Sequence, residues 1–207
     1  RFDTILASFY AWSTARTTMQ RHGIIGMLLA VTLLVSCAPT AVIERDTGID
    51  LMNTDRAVYT LTNLRPDEVN ARLYTLNYQR EGFIPVCSEV RLDDRNKKRL
   101  RFKVLHSGRH YQLYRHKAYT DLPGYIAKHF GTRCPNTQAL PELDRKGIER
   151  GKALVGMSKV AVIQALGYPP PHRTYSTDLD DWRYWINRFN TMVVTFDVDG
   201  RVKRIRH

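Results

Sequence analysis

The sequence predicts an α+β protein: a small β-rich domain over residues 57–134, a linker at 135–141, then two helices and a three-stranded antiparallel meander over 142–207. Three observations predict it. Around residue 100, Leu100, Phe102 and Val104 alternate with Arg99, Arg101 and Lys103, the period of a half-buried strand. After residue 142 the pattern changes to two short helix-like segments, each followed by a glycine. Two apolar runs joined by Asp199-Gly200 then close the chain, a strong local hairpin signal.

Residues 1–36 stand outside this fold. Gly23 to Val35 is an uncharged, largely apolar run after Arg21 and His22, shorter than the about 20 residues a membrane-spanning helix needs. It ends in Leu34-Val35-Ser36-Cys37, which resembles the lipobox of bacterial lipoproteins, where the cysteine is acylated, with palmitate among the acyl chains, and becomes the first mature residue. The plain alternative is a buried helix that happens to end in Ser36-Cys37. Met19 is read as the start of this signal peptide, with residues 1–18 upstream of it. Ala38 follows Cys37, and no Asp stands there to signal inner-membrane retention. The resemblance therefore implies a lipoprotein anchored in the cell outer membrane and facing the periplasm.

Loss of Arg1, Arg16, Arg21 and Asp3 with the leader takes the formal charge from +12 to +10. Such a charge favours anionic partners. For an exported protein these are lipid headgroups, lipopolysaccharide phosphates or acidic protein faces, and not nucleic acid. Residues 37–56 are polar and without sustained periodicity, and are expected to form the lipidated tether.

The β-rich domain comes next. Leu73 to Tyr78 is an aromatic-rich strand candidate, and Ser88 to Leu92 is another. The charged run Asp93-Asp94-Arg95-Asn96 is expected to turn the chain into the strand at Arg99. His106-Ser107-Gly108 supplies a further turn, after which Tyr111 and Leu113 resume the alternation. Short strands with turns about every ten residues suggest a small barrel or sandwich. With the Ile84-Pro85-Val86 entry, the domain faintly resembles an SH3-type barrel. Asp121 caps a helix whose Leu122, Tyr125, Ile126 and Phe130 share one face, and Gly131 is expected to end it.

Cys87 and Cys134 lie in neither a C-x-x-C pair nor a zinc spacing. In an exported protein an isolated pair reads first as a disulfide, closing a loop worth about 4 kcal/mol in the chain-entropy model. Two free buried thiols, or a metal site recruiting His106, His110 or His129, are the alternatives.

Beyond the proline-bounded linker, Ile148 to Val155 reads as a helix ended by Gly156. Ser158 caps a second helix carrying Val162, Ile163 and Leu166, with Gly167 past its end and Pro169-Pro170-Pro171 blocking continuation. Asp181 to Arg188, Thr191 to Asp197 and Arg201 to Arg206 are the meander strands. Trp182, Tyr184 and Ile186 alternate to cover the second helix, leaving Trp185 on the opposite face.

These residues carry a further likeness. Gly156-Met157-Ser158-Lys159, Val162 and Leu166-Gly167-Tyr168-Pro169 resemble the G-M-[ST]-[KR]-x-x-V-x-x-x-L-G-x-P signature of the SmpA/OmlA (BamE-like) small outer-membrane lipoproteins. The strand Trp182-Arg183-Tyr184 and the hairpin residues Phe196, Asp197 and Gly200-Arg201-Val202 extend the match over about residues 142–207. The family's short recognition stretch ahead of the first helix is not recognisable at Thr137 to Ile148, and the β-rich domain has no place in its pattern. The likeness implies a non-catalytic accessory in outer-membrane protein assembly or envelope integrity, with the β-barrel assembly machinery as partner.

A second reading rests on charge alone. Lys97, Lys98, Arg99, Arg101 and Lys103 form a basic stripe fit for an anionic envelope lipid or glycan, with a solvated strand face as the bland alternative. Nothing in the chain calls for catalysis, a metal or a cofactor. His106, His110 and His116 lie near one hairpin without a nucleophile at recognisable spacing, and Asp180-Asp181 flank a strand start.

Overall fold

The computed structural model describes residues 41–207; the leader, its apolar run and Cys37 lie outside the described residues. Among the described residues there are three α-helices and nine strands in two sheets, a mixed α+β architecture. Residues 41–207 belong to one compact unit.

The first sheet contains β1 (Val58–Thr60), β2 (Arg72–Tyr74), β3 (Glu89–Arg95), β4 (Arg99–Val104), β5 (His110–Tyr114) and β6 (Phe130–Gly131), in the order β2-β5-β4-β3-β1-β6. All neighbours are antiparallel except β2 and β5. The alternation read around residue 100 sets the inner face: Leu100, Phe102 and Val104 are buried with Val90, Leu92, Tyr111 and Leu113. Helix α1 (Leu122–His129) adds Leu122, Tyr125 and Ile126 to this core. Asp121 caps it by accepting from the Gly124 amide.

Several boundaries differ from expectation. The acids Asp93 and Asp94 sit inside β3, not in a turn, because a bulge between Leu92 and Asp94 lets the strand run on to Arg95. The turn is Asn96–Lys98, with the Asn96 carboxamide accepting from the Lys98 and Arg99 amides. Of the expected Leu73–Tyr78 strand only Leu73 and Tyr74 are extended, in a strand that begins at Arg72, since the chain turns at Asn77, where φ is 47°. Gly131 does not terminate α1: the helix stops at His129, and Phe130 and Gly131 pair with β1. The glycine answers instead to the Glu44 carboxylate, which would lie 2.6 Å from an added Cβ.

The expected tether is also shorter. Val42 and Leu51 are buried in the first core, and Glu44 accepts from both the Thr132 amide and its hydroxyl. From Val42 onward the chain is anchored, because Val42 and Leu51 reach the first core and Glu44 is held by Thr132.

In the second half, α2 (Glu142–Arg150) and α3 (Lys159–Leu166) precede β7 (Asp181–Trp185), β8 (Thr191–Phe196) and β9 (Val202–Arg206), antiparallel neighbours in chain order. The first of these helices starts earlier than Ile148 and ends at Gly151, which takes the left-handed C-cap at φ 57°. Gly156 is left-handed too, but in the turn before Ser158. Ser158 caps α3 by accepting from the Ala161 amide, and Gly167 closes it. Strand β7 stops at Trp185, where the Asn187 side chain accepts from the Phe189 and Asn190 amides and folds the expected extension into a turn. Trp182 and Tyr184 are fully buried against α3 with Met157, Val162, Leu166 and Phe196.

Residues 135–141 separate two hydrophobic clusters, yet the halves do not hang apart across them. Helix ends leave carbonyls without intrahelical partners, and here the first half supplies the donors. The buried Asn63 carboxamide donates to the Ile148 carbonyl at 2.7 Å and the Ala165 carbonyl at 3.2 Å, while its oxygen accepts from the Val86 amide. Its backbone amide donates to the Gln164 carbonyl. Asn77 and Gln79 both donate to the Leu166 carbonyl, and Arg65 donates to the Gly151 carbonyl. A polar seam thus joins the two clusters.

Candidate functional site

The sequence-predicted basic stripe lies on the outer face of β4, as the period-2 pattern requires. Register fixes its neighbours: Arg99 stands opposite Tyr114, Arg101 between Asp94 and Gln112, and Lys103 between Arg91 and His110. Acids therefore interleave with the cations. Arg101 approaches Asp94 at 3.5 Å, while Asp93 takes both Arg91 at 3.0 Å and His110 at 3.1 Å. Arg99 donates to the Gln112 side-chain oxygen, as does the Tyr114 hydroxyl. Lys97 and Lys98 project from the turn, and with Lys103 they have no ion-pair partner among the described residues. The stripe is less basic than its sequence suggests, because the bulge delivers Asp93 and Asp94 to the same face.

A second basic face was not singled out in the sequence. The outer side of the second sheet carries Arg183 on β7 and Arg204 and Arg206 on β9, linked across β8 through Val193 and Thr195. All three are exposed and without an ion-pair partner among the described residues. Asp181 is the acid on this face, and it accepts from the Thr195 hydroxyl. At the end of β7, Trp185 stacks on His172 at 6.3 Å, and the Arg173 guanidinium lies 5.4 Å from the indole. The signal available was the alternation Arg183, Trp185 and Arg204, Arg206, whose significance depends on register.

Cys87 and Cys134 are joined in a disulfide, with Cα atoms 5.0 Å apart. It ties the residues just before β3 to those just after β6. His106, His110 and His116 do not converge: His110 is held by Asp93, and the His116 ring accepts from the Ala118 amide. No group of three or more metal-ligating side chains occurs among the described residues. Among them, no helix is long and apolar enough to cross a membrane.

The signature residues between Gly156 and Gly200 are structural in their contacts. Gly200 is left-handed at φ 69° in the β8–β9 turn. The Tyr184 hydroxyl donates to the Gly167 carbonyl, and Pro169 begins a buried exit from α3. Two residues outside the signature complete it. Asp144, almost fully buried on α2, accepts from the Ser158 amide at 3.0 Å and its hydroxyl at 2.7 Å. Gly147 leaves room for Met157, whose sulfur would lie 2.1 Å from a Cβ at that position.

Comparisons with known proteins give no match to a family model, to a curated protein or to a solved structure.

Proposed function

We propose that this protein is an outer-membrane lipoprotein, anchored through Cys37 on the periplasmic side, that acts as a non-catalytic accessory in outer-membrane protein assembly or envelope integrity. The second half is read as the two-helix, three-stranded meander of the SmpA/OmlA type. For the first half the SH3-type likeness is kept as a proposal, supported by its short strands and the bulge that bends β3.

The observation that best supports a docking role is the outer face of the second sheet. Arg183, Arg204 and Arg206 project together without carboxylate partners among the described residues, beside an aromatic edge at Trp185. Arginine and tryptophan are the residues that most often dominate binding energy at protein interfaces. Such a face suits an acidic protein surface at the membrane, and the lipid supplies stable anchoring when two or more chains are attached.

The test is affinity purification of the tagged, lipidated protein from gently solubilised outer membranes, compared with an Arg183→Glu, Arg204→Glu variant. Recovery of the central barrel-assembly protein by the unaltered chain, and its loss in the variant, is expected. Recovery of no protein, or recovery indifferent to charge reversal, overturns the reading. Changing Cys37 to Ser is expected to abolish partition into the detergent phase; retained partition refutes the anchor.

A second reading is favoured by Lys97, Lys98 and Lys103, which have no ion-pair partner among the described residues at this edge of the first sheet. It makes the protein a binder of anionic envelope lipid or glycan, and it requires binding that weakens strongly as salt is raised.

A further inference from the structure

Away from both basic faces, tyrosine rings meet around one cavity. It holds about 720 Å³ and is bounded by α1, residues 44–46 and residues 168–177. Tyr125, buried on α1, meets Tyr119 edge to face, with ring centroids 5.4 Å apart and planes at 89°. A second neighbour, the fully buried His129, lies 15° from parallel to Tyr125, with centroids 4.0 Å apart. The His129 Nδ1 is 2.8 Å from the Tyr125 carbonyl oxygen, which fixes that pair. Tyr168 stands at 68° to the imidazole, with centroids 5.5 Å apart. Tyr119 and Tyr168 are therefore both set steeply to the Tyr125 plane, and both are half-buried residues of the cavity wall.

A cation of this chain already marks one of these rings. The Lys128 ammonium lies 5.4 Å from the Tyr168 centroid, within the about 6 Å over which a ring quadrupole attracts a cation. Lys128 has no carboxylate at ion-pair distance among the described residues, so the ring is what it meets. The charges on the wall lean the same way, with Glu44, Asp46 and Asp121 set against Arg45 and Lys128. Glu44 is committed to Thr132. Asp46 and Asp121 are exposed and have no ion-pair partner among the described residues.

We propose that this cavity binds a small organic ammonium ion, its charged head against the Tyr119 and Tyr168 rings and its charge balanced by Asp46 and Asp121. Aromatic walls favour such an ion over an inorganic cation, because its methyl or methylene groups also leave water against the rings. They disfavour an anion, because ring faces and carboxylates alike present negative potential. The volume falls inside the range of about 300–1,000 Å³ found for small-molecule sites, with room for a chain beyond the ammonium head. Lys128, exposed and on a flexible stem, leaves the Tyr168 ring when the ligand arrives. This site rests on neither the lipid anchor nor either basic face.

The experiment titrates the full chain, carrying ¹³C-labelled tyrosine rings, separately with choline, butylammonium, the neutral choline isostere with carbon in place of nitrogen, and inorganic phosphate. At least one of the two cations is expected to move the Tyr119 and Tyr168 ring resonances with a Kd on the order of 0.1–1 mM. The neutral isostere is expected to bind about tenfold more weakly than that cation, and phosphate to leave both rings in place. Tyr168→Leu keeps an apolar side chain without the π face, and is expected to weaken cation binding about tenfold, read at Tyr119. Asp46→Asn, at an exposed position, gives a second weakening variant should the first unfold. Lys128→Gln removes the competing ammonium and is expected to tighten binding about threefold or more, which a merely structural role would not do. Four results each overturn the proposal. They are cations that move neither ring up to about 10 mM, an isostere that binds as tightly as the cation, phosphate that moves the rings, and a Lys128→Gln variant that binds no tighter.

Discussion

At pH 7 the His129 imidazole is neutral in the folded chain and mostly neutral in the unfolded one, so its burial carries little protonation penalty there. Below about 6.5 the unfolded chain takes up a proton that the folded chain refuses until about pH 4. Stability therefore falls with acid through that window, by about 2–3 kcal/mol at pH 4.5 from this group alone. His129→Phe keeps a ring and removes the titration. Urea unfolding at pH 7 and 4.5 is expected to show a smaller acid loss in the variant; equal losses would refute the buried neutral imidazole. Gly147 is a second residue whose meaning appears only in three dimensions. Alanine there gains helix propensity of about 1 kcal/mol but forces a Cβ to within 2.1 Å of the fully buried Met157 sulfur. Overpacking wins, and Gly147→Ala is expected to lower the stability measured by urea unfolding by about 1–2 kcal/mol. A neutral or stabilised variant would show that Met157 yields. Local signals in the chain do reveal Ser158 as a cap, because capping is encoded within three residues. They do not reveal Asp144, which reaches Ser158 from fourteen positions upstream.

Strand faces are read well from the chain and element ends are read poorly. The alternation at Arg99–Val104 gives the buried and exposed sides directly, because a strand's period needs no information from elsewhere. The bulge in β3 is different: it depends on a partner strand, and it moves two acids onto the basic face. The helix α2 is misplaced by sequence reasoning for a related reason. Gly151 and Gly156 both satisfy a C-cap pattern, and the choice between them falls to the donors waiting at Gly151 and Ile148. Those donors identify the test at this scale. Asn63→Asp replaces the donating carboxamide with a carboxylate facing the Ile148 and Ala165 carbonyls. A loss of about 3 kcal/mol or more is expected, since a buried charge is left unpaired against like partial charge. Hydrogen exchange is expected to accelerate first at the C-terminal turns of α2 and α3; unchanged protection there would deny the seam its capping role.

Over the whole molecule, buried apolar residues on either side of the composition change near residue 135 gather into two hydrophobic clusters, with Val86 of the first half packed against the second. What that change cannot reveal is that polar side chains bridge them, because Asn63, Asn77 and Gln79 look in the chain like ordinary turn residues. The bridging has a measurable consequence: in the chain from residue 37, which lacks Trp12, tryptophan fluorescence, from the second half, and circular dichroism, from both, should report one coincident urea transition. Two separated transitions would mean that the seam contributes little. The disulfide acts on the same unit. Replacing Cys87 and Cys134 by Ser reopens a loop of 47 residues and is expected to cost about 4 kcal/mol in the chain-entropy model, shifting both probes together. Early burial of Val42 has a further consequence for where the protein can act. With Cys37 acylated as proposed, five steps of chain separate the lipid from the packed body, at most about 17 Å when fully extended. That is a short mooring: the body rides at the height of the headgroups, samples a thin layer of the periplasm, and meets only what is already at the membrane surface.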